Sequence, residues 1–337
     1  MATIKDIAKQ AGVSAGTVSK ALNNSKEISI ATQEKVHRIA TELGYIPDVA
    51  ARQMVTKRSN ILGVLFSDSL DIGLGHAFFS LVLENFRTHA NKLGFDVLIM
   101  PSHKSYMDLN YSEFAKYRTL DGIFVCTHSE KDTYLAELLA SDLPLVTADV
   151  FNAHTPLVTS DDAKAAEDTY EYLYSLGHRD IVHLAGPLNT LSGVRRQEGF
   201  KNALNKRGET ITDQNLVYVE NHTYEFGKEG VSKMLAQRNG KLPDAIIAAS
   251  DIVAIGAIAE LKSLGYIVPD DVSVIGFDGI EMAQYVSPSL TTMTQNPEEI
   301  GKLLANYLID RVQGKEVPLQ TLIPMKLAER ESVSRRK

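Results

Sequence analysis

The chain has 337 residues, 44% of them hydrophobic and 23% charged, with one cysteine and a formal net charge of −7. That length predicts about two to three domains with sizeable cores. The lone Cys126 excludes an intrachain disulfide and a cysteine-built metal site. With no run of about 18 apolar residues to span a membrane, and no apolar leader in MATIKDIAKQAGVS, a cytoplasmic location without a membrane partner is expected.

The charge is unevenly spread. Residues 1–58 carry nine Lys and Arg against five Asp and Glu, whereas the remainder carries 26 against 37. A basic head on an acidic body suggests that the head alone approaches a polyanion.

In the head, Thr3 can cap a first helix with Asp6 three residues on. Ile4, Ile7, Ala8 and Ala11 recur at helical spacing, and Gly12 is a helix-ending glycine. Ser14 can cap a second helix, Ala15–Leu22. Val13, Val18 and Leu22 are expected to face inward there, and Ala15, Gly16, Ser19 and Lys20 outward. Asn23-Asn24-Ser25 is turn chemistry. Ser29 or Thr32 opens a third helix with Val36, Ile39, Ala40 and Leu43 on its apolar face, ended by Gly44. Three short helices with a glycine turn between the first two match a helix-turn-helix unit, whose second helix suits the DNA major groove. Gly12-Val13-Ser14-Ala15-Gly16 also fits the serine-hydrolase G-x-S-x-G pattern, but that pattern needs a preceding strand and a helical stretch stands there instead.

TIKDIAKQAGVSAGTVSKALNN, followed by GYIPDVAARQMVTKRSNILGVL, resembles the head and hinge of the LacI/GalR family of bacterial transcription regulators. The resemblance runs from Thr3 to the end of the chain. It implies that the second helix reads double-stranded operator DNA through Ala15, Gly16, Lys20 and, with less weight, Thr17, Ser19 and Asn23. The family commonly has Arg at Lys20, which donates as a point charge and not as a rigid fork. Pro47 to Met54 resembles the family's hinge helix. The resemblance implies that Arg52 and Met54 contact DNA there, with Met54 in place of the usual Leu wedge in the minor groove. Asp48 replaces the usual Asn, an unfavourable charge near phosphate.

The body alternates short apolar runs with helical patterns. Strands are predicted at Ile61–Phe66, Phe95–Met100, Gly122–Cys126, Leu145–Ala148, Asp180–Ala185, Leu216–Glu220, Ala245–Ala249 and Val272–Gly276. Helices are predicted at Phe78–Leu93, Asp162–Leu176, Ser192–Arg207, Glu225–Gln237 and Ile252–Leu264, with another opening at Asn296-Pro297 and running to about Gln313. This is the pattern of an α/β fold with parallel sheets and crossover helices, long enough for two lobes. It resembles the periplasmic-binding-protein-like architecture of the family's body. The resemblance implies that the chain crosses between lobes three times, near Ser160, Ser289 and Pro318. The expected organisation is a DNA-binding domain at 1–45, a hinge at 46–58, an N-terminal lobe at 59–159 with 290–318, and a C-terminal lobe at 160–289 with 319–337.

Ligands of such folds bind outside the carboxyl ends of the strands. Candidates there are Asp68 and Ser69 after the first strand, Phe78 and Phe79 at the start of the next helix, and Asp149 after the fourth strand. The resemblance adds Arg196, in an R-x-x-G-[FW] motif, His222 at an aromatic-wall position, Ser250 and Asp251 as an [ND]-D pair, Asp278 in G-[FY]-D, and more weakly Ser192 and Gln295. Carboxylates that accept from hydroxyls, an arginine that donates and a ring to cover an apolar face suit a polyol. Gly73-Leu74-Gly75 lacks the third glycine of a dinucleotide fingerprint, the nine histidines form no metal-spaced pair, and no cofactor is expected.

The expectation is a homodimeric, ligand-responsive regulator, a repressor that controls carbohydrate-utilisation genes through a sugar or sugar derivative held between two lobes. No apolar heptads follow the body to build a tetramer. A global carbon-catabolite regulator with a phosphocarrier protein as corepressor is the alternative. A sugar-transport binding protein is disfavoured by the DNA-like head, and an enzyme by the lack of a nucleophile–base pair or metal constellation.

Overall fold

The computed structural model describes residues 2–22, 25–45, 58–66, 73–101, 109–127 and 132–336. The chain divides into two compact units, Met1–Ser59 and Asn60–Lys337.

The first unit is built on α1 (Ile4–Ala11), α2 (Ala15–Leu22) and α3 (Ile30–Glu42). The Thr3 side chain accepts from the Asp6 amide, while the Asp6 carboxylate accepts from the Thr3 amide at 2.9 Å. This reciprocal cap satisfies two N–H groups that the helix itself leaves unpaired. Gly12 ends α1 at φ 69°, in the left-handed region that a side chain would resist. Ser14 Oγ accepts from the Thr17 amide at 3.0 Å and starts α2. Ser29 caps α3 in the same way. Ile7, Ala8, Ala11, Val18, Ala21, Val36, Ile39 and Ala40 form the core of the unit. Val13 and Leu22 face inward as expected, but they pack at the margin, and Ala21 occupies the centre.

The second unit holds two six-stranded sheets. In the first the order is β2 (Asp96–Ile99), β1 (Ile61–Phe66), β3 (Gly122–Thr127), β4 (Leu145–Thr147), β5 (Leu157–Ser160) and β11 (Gln320–Ile323), all parallel. In the second it is β7 (Leu216–Tyr218), β6 (Ile181–Ala185), β8 (Ala245–Ala248), β9 (Ser273–Asp278), β10 (Thr291–Thr294) and β12 (Lys326–Ala328). Only β12 runs antiparallel.

Crossover helices cover the sheets, as parallel pairing requires. The first lobe carries α4 (Ala77–Lys92), α5 (Tyr111–Tyr117), α6 (Thr133–Leu139) and α11 (Pro297–Val312). The second carries α7 (Asp162–Ser175), α8 (Leu191–Asn205), α9 (Tyr224–Gln237) and α10 (Asp251–Ser263). In the first lobe, α4 and α11 pack on one sheet face around Phe86 and Phe124, whose rings lie 4.9 Å apart. Burial on both faces explains why β1 and β8 read as unbroken apolar runs, and β3 and β6 as apolar runs with one polar residue each, Thr127 and His183.

The expected lobe boundaries at 290 and 318 are corrected. Thr291–Thr294 pairs in register with Ile275–Asp278, so it still belongs to the second sheet. The chain returns to the first lobe only between Thr294 and Pro297. Gln320–Ile323 then adds to the first sheet beside Leu157–Ser160, so the last crossing falls between Ile323 and Lys326, not near Pro318. Strands of three or four residues are too short for a reliable period. Their place is fixed by pairing with partners distant in sequence.

Helices α9 and α10 cross at very close range. A Cβ at Gly227 would lie 2.2 Å from the Val253 carbonyl oxygen. Backbone cannot yield as a flexible side chain can, so Gly227→Ala is expected to destabilise the second unit by about 1–3 kcal/mol. Thermal unfolding followed by circular dichroism should show the drop.

Candidate functional site

Two surfaces hold the predicted functional residues, one in each unit. On α2, Ala15, Gly16 and Lys20 are exposed, while Thr17 and Ser19 are half-buried. Thr17 Oγ1 shares a hydrogen bond with Ser14 Oγ at 2.9 Å, which makes it part of the cap. The Lys20 ammonium donates to the Glu27 carboxylate. That bond holds the Glu27 carboxyl below its usual range. A base-reading role for Lys20 therefore requires exchange of Glu27 for the DNA. Asn23, Arg52, Met54 and almost all of the hinge expected at 46–58 lie outside the described residues.

In the second unit, a cavity of about 360 Å³ lies where the carboxyl ends of the two sheets face each other. Phe78, Phe79, Asp149, Ser192, Arg196, His222, Ser250, Asp278 and Gln295 all line it. Asp68 and Ser69 lie outside the described residues. Of the two phenylalanines, Phe78 is buried in the core of the first lobe, and Phe79 is the more open. The Phe79 ring packs against that of His76, with centroids 4.9 Å apart.

Arg196 is the electrostatic centre. It projects from α8 and is 3% exposed. Its Nε donates to Asp162 at 2.7 Å and its Nη2 to Asp278 at 3.2 Å, while Nη1 donates to the Ala249 carbonyl. Its guanidinium carbon lies 4.6 Å from the centroid of the Phe277 ring. Arg196 thus ties the start of α7 to the ends of β8 and β9. Asp162 lines the cavity too, and its burial pushes its carboxyl up against the opposing pull of Arg196. The sequence reading missed Asp162 because it resembles an ordinary acidic residue in a first helical turn.

Asp278 ends β9 at φ 109°, a costly conformation for a residue with a side chain. It is held there by Gln295. The Gln295 amide donates to the Asp278 carbonyl at 3.1 Å, and Nε2 donates to Oδ1 at 2.8 Å. Oε1 of Gln295 accepts from Ser160 at 2.5 Å, which links two crossing segments.

Asp149 and His76 come from the first lobe and meet groups of the second. The Asp149 carboxylate accepts from the amides of Leu191 and Ser192 at the start of α8. Burial and the neighbouring Asp162 push its pKa up to about 7. His76, also missed, caps α4 by accepting from the Phe79 amide on Nδ1 at 3.3 Å, which places its own ring proton on Nε2. Burial lowers its pKa against the pull of Asp278. Its sequence context gives no sign beyond a helix start. His222 is pushed down to about 3 by burial, then by Arg196 and His76, and is neutral. Its ring lies against Gly186, where a Cβ would come within 2.7 Å of it.

Asp251 is corrected. It is fully buried and does not line the cavity. Its carboxylate accepts from the Ile280 amide at 2.8 Å and from Thr292 Oγ1 at 2.5 Å, so it fastens the segment after β9. Burial, then Asp278, pushes its pKa up to about 8.

A helix-turn-helix unit joined to a two-lobed fold with a cleft cavity is the architecture of a DNA-binding transcription regulator with a periplasmic-binding-protein-like body. Residues 3–48 match the lacI family of bacterial regulatory proteins, and residues 170–333 match a periplasmic binding protein-like domain. The HTH-type transcriptional regulator DegA of Bacillus subtilis (strain 168) is 32% identical, over 98% of this chain and 98% of its own. The lac repressor dimer bound to operator and the anti-inducer ONPF superposes with a TM-score of 0.81 at 27% identity, over 99% of both chains. The complex of the transcriptional regulator CelR with cellobiose superposes with a TM-score of 0.73 at 27% identity, over 98% of this chain and 100% of that one. The chain belongs to the LacI family of bacterial transcriptional regulators.

Asp149 gives the site a pH signature. Its folded-state pKa lies above the unfolded value, so its stabilising contribution is complete below about pH 4 and lost as the pH rises through about 7. Wild-type Tm should fall relative to that of Asp149→Asn as pH is raised from about 5 to 8, measured by differential scanning fluorimetry. A constant gap across that range would show that Asp149 titrates as an ordinary carboxylate.

Proposed function

We propose that two copies of the chain bind a pseudo-palindromic operator through their α2 helices and repress carbohydrate-utilisation genes in the cytoplasm. A sugar or sugar derivative enters the cleft cavity and changes operator affinity. The observation that carries this reading is the composition of the cavity wall. Phe79, His76 and Asp149 come from one lobe, and Arg196, His222 and Asp278 from the other. An occupant that touches both walls has a different affinity for each lobe arrangement, and that difference is what shifts a two-state equilibrium. Relatives described with cellobiose and with operator DNA support the same assignment. Ala15, Gly16 and Lys20 present the reading surface, and the hinge with Arg52 and Met54 contributes minor-groove contacts.

Coupling between operator and effector is reciprocal. Operator DNA is expected to lower effector affinity by the same factor by which effector lowers operator affinity, measured by calorimetry with and without operator. Equal affinities would end the proposal.

Lys20→Ala should weaken operator binding about tenfold or more, the cost of about 1–3 kcal/mol for one lost base contact. Its effect on random-sequence DNA should be smaller. Fluorescence anisotropy at one fixed salt concentration separates the two, because phosphate contacts alone would weaken both equally.

A further inference from the structure

The cation that lines the cavity is already paired with carboxylates of the same wall. Among the described lining residues, the charged groups are the carboxylates Asp149, Asp162 and Asp278 and one guanidinium, Arg196. Arg196 donates one N–H each to Asp162, Asp278 and the Ala249 carbonyl, and its face lies over Phe277. Both imidazoles have their proton affinity lowered by burial. Among the described lining residues, no cation lacks a carboxylate partner.

Helix N-termini are the other common anion receptors. The N-termini of α4, α8, α9 and α10 contribute lining residues, and in each a side-chain cap already takes one of the first-turn amides. His76 caps α4 and Thr223 caps α9. Ser250 caps α10. Thr190 caps α8, and the Asp149 carboxyl faces the same first turn. A phosphate or carboxylate would therefore add negative charge beside Asp149, Asp162 and Asp278, in a partly desolvated site, with no unpaired cation among the described lining residues to meet it. An unpaired buried charge is among the costliest things a site can hold.

We infer that the cavity takes an uncharged polyhydroxyl compound and rejects its phosphorylated and carboxylated forms. The reading rests on the ligand site proposed above and narrows its chemistry. A hydroxyl both donates and accepts, which suits the mixed wall. Asp278 has one oxygen beyond the Oδ1 that Arg196 and Gln295 occupy, and it can accept from a hydroxyl. His76 offers Nε2–H, a donor to a hydroxyl oxygen. The open face of Phe79 and the side chain of Ile252 can cover the apolar side of a ring. A free sugar and a nucleoside share this chemistry, and the test separates them.

The test uses the full-length chain and matched sets: glucose, glucose 6-phosphate and glucuronate; cellobiose and cellobionate; ribose and ribose 5-phosphate; cytidine and cytidine 5′-monophosphate. Thermal shift finds binders, because a ligand specific to the folded state raises Tm, and calorimetry gives their Kd. At least one neutral member should bind, with its anionic counterpart at least a hundredfold weaker. Asp278→Asn, which removes one negative charge and frees one guanidinium donor, should narrow that ratio at least tenfold, a change that mere loosening of the site would not produce. An anionic member that binds as tightly as its neutral counterpart, or an unchanged ratio in Asp278→Asn, overturns the inference. If that anion also alters operator affinity, the proposed function stands without it. Failure of every member to bind overturns both.

Discussion

The second lobe and the cleft both depend on one buried charge arrangement, Arg196 between Asp162 and Asp278. A guanidinium in a nearly dry site is tolerable only when its donors are met, and three separate pieces of chain meet them here. Removing one partner of such a group typically costs about 3–5 kcal/mol, because the others are left charged and unpaired. Arg196 is therefore first a structural tie. Together with Gln295 it fixes the Asp278 carboxylate in the cavity wall.

This placement changes the meaning of the family-like R-x-x-G-[FW] stretch. The arginine was expected to donate to the effector. In the folded chain it lines the cavity while three of its donors are held by Asp162, Asp278 and the Ala249 carbonyl. The glycine of the same stretch has its own steric role. A Cβ at Gly199 would lie 2.0 Å from the Ala163 carbonyl oxygen, so α8 can approach α7 only without one. One short sequence thus sets both the helix packing and the electrostatics of the site.

Much of the architecture was legible because local chemistry was strong. Thr3 with Asp6, Gly12, Ser29 and Asn296-Pro297 mark helix ends by hydrogen bonds made within a few residues. The long apolar strands mark themselves by burial on both faces. What escaped was decided at a distance. Strands β5, β10, β11 and β12 are brief and polar in part, and their pairing partners settle which lobe they join. The same holds in the site. His76 and Asp162 look like ordinary helix-start residues, and only the facing lobe or helix gives them a role. Asp251 shows the converse, since a motif position matched the family while its carboxylate turned inward to Thr292 and Ile280.

The last crossing between lobes spans only Pro324 and Met325, between the strands Gln320–Ile323 and Lys326–Ala328, which extend different sheets. Two residues reach roughly 7 Å at full extension, which leaves no slack for the lobes to part. A second crossing is stitched to the first by Gln295 and Ser160. Tethers this short allow a swivel and forbid a slide. Whatever bridges the two walls therefore works against the same short tethers.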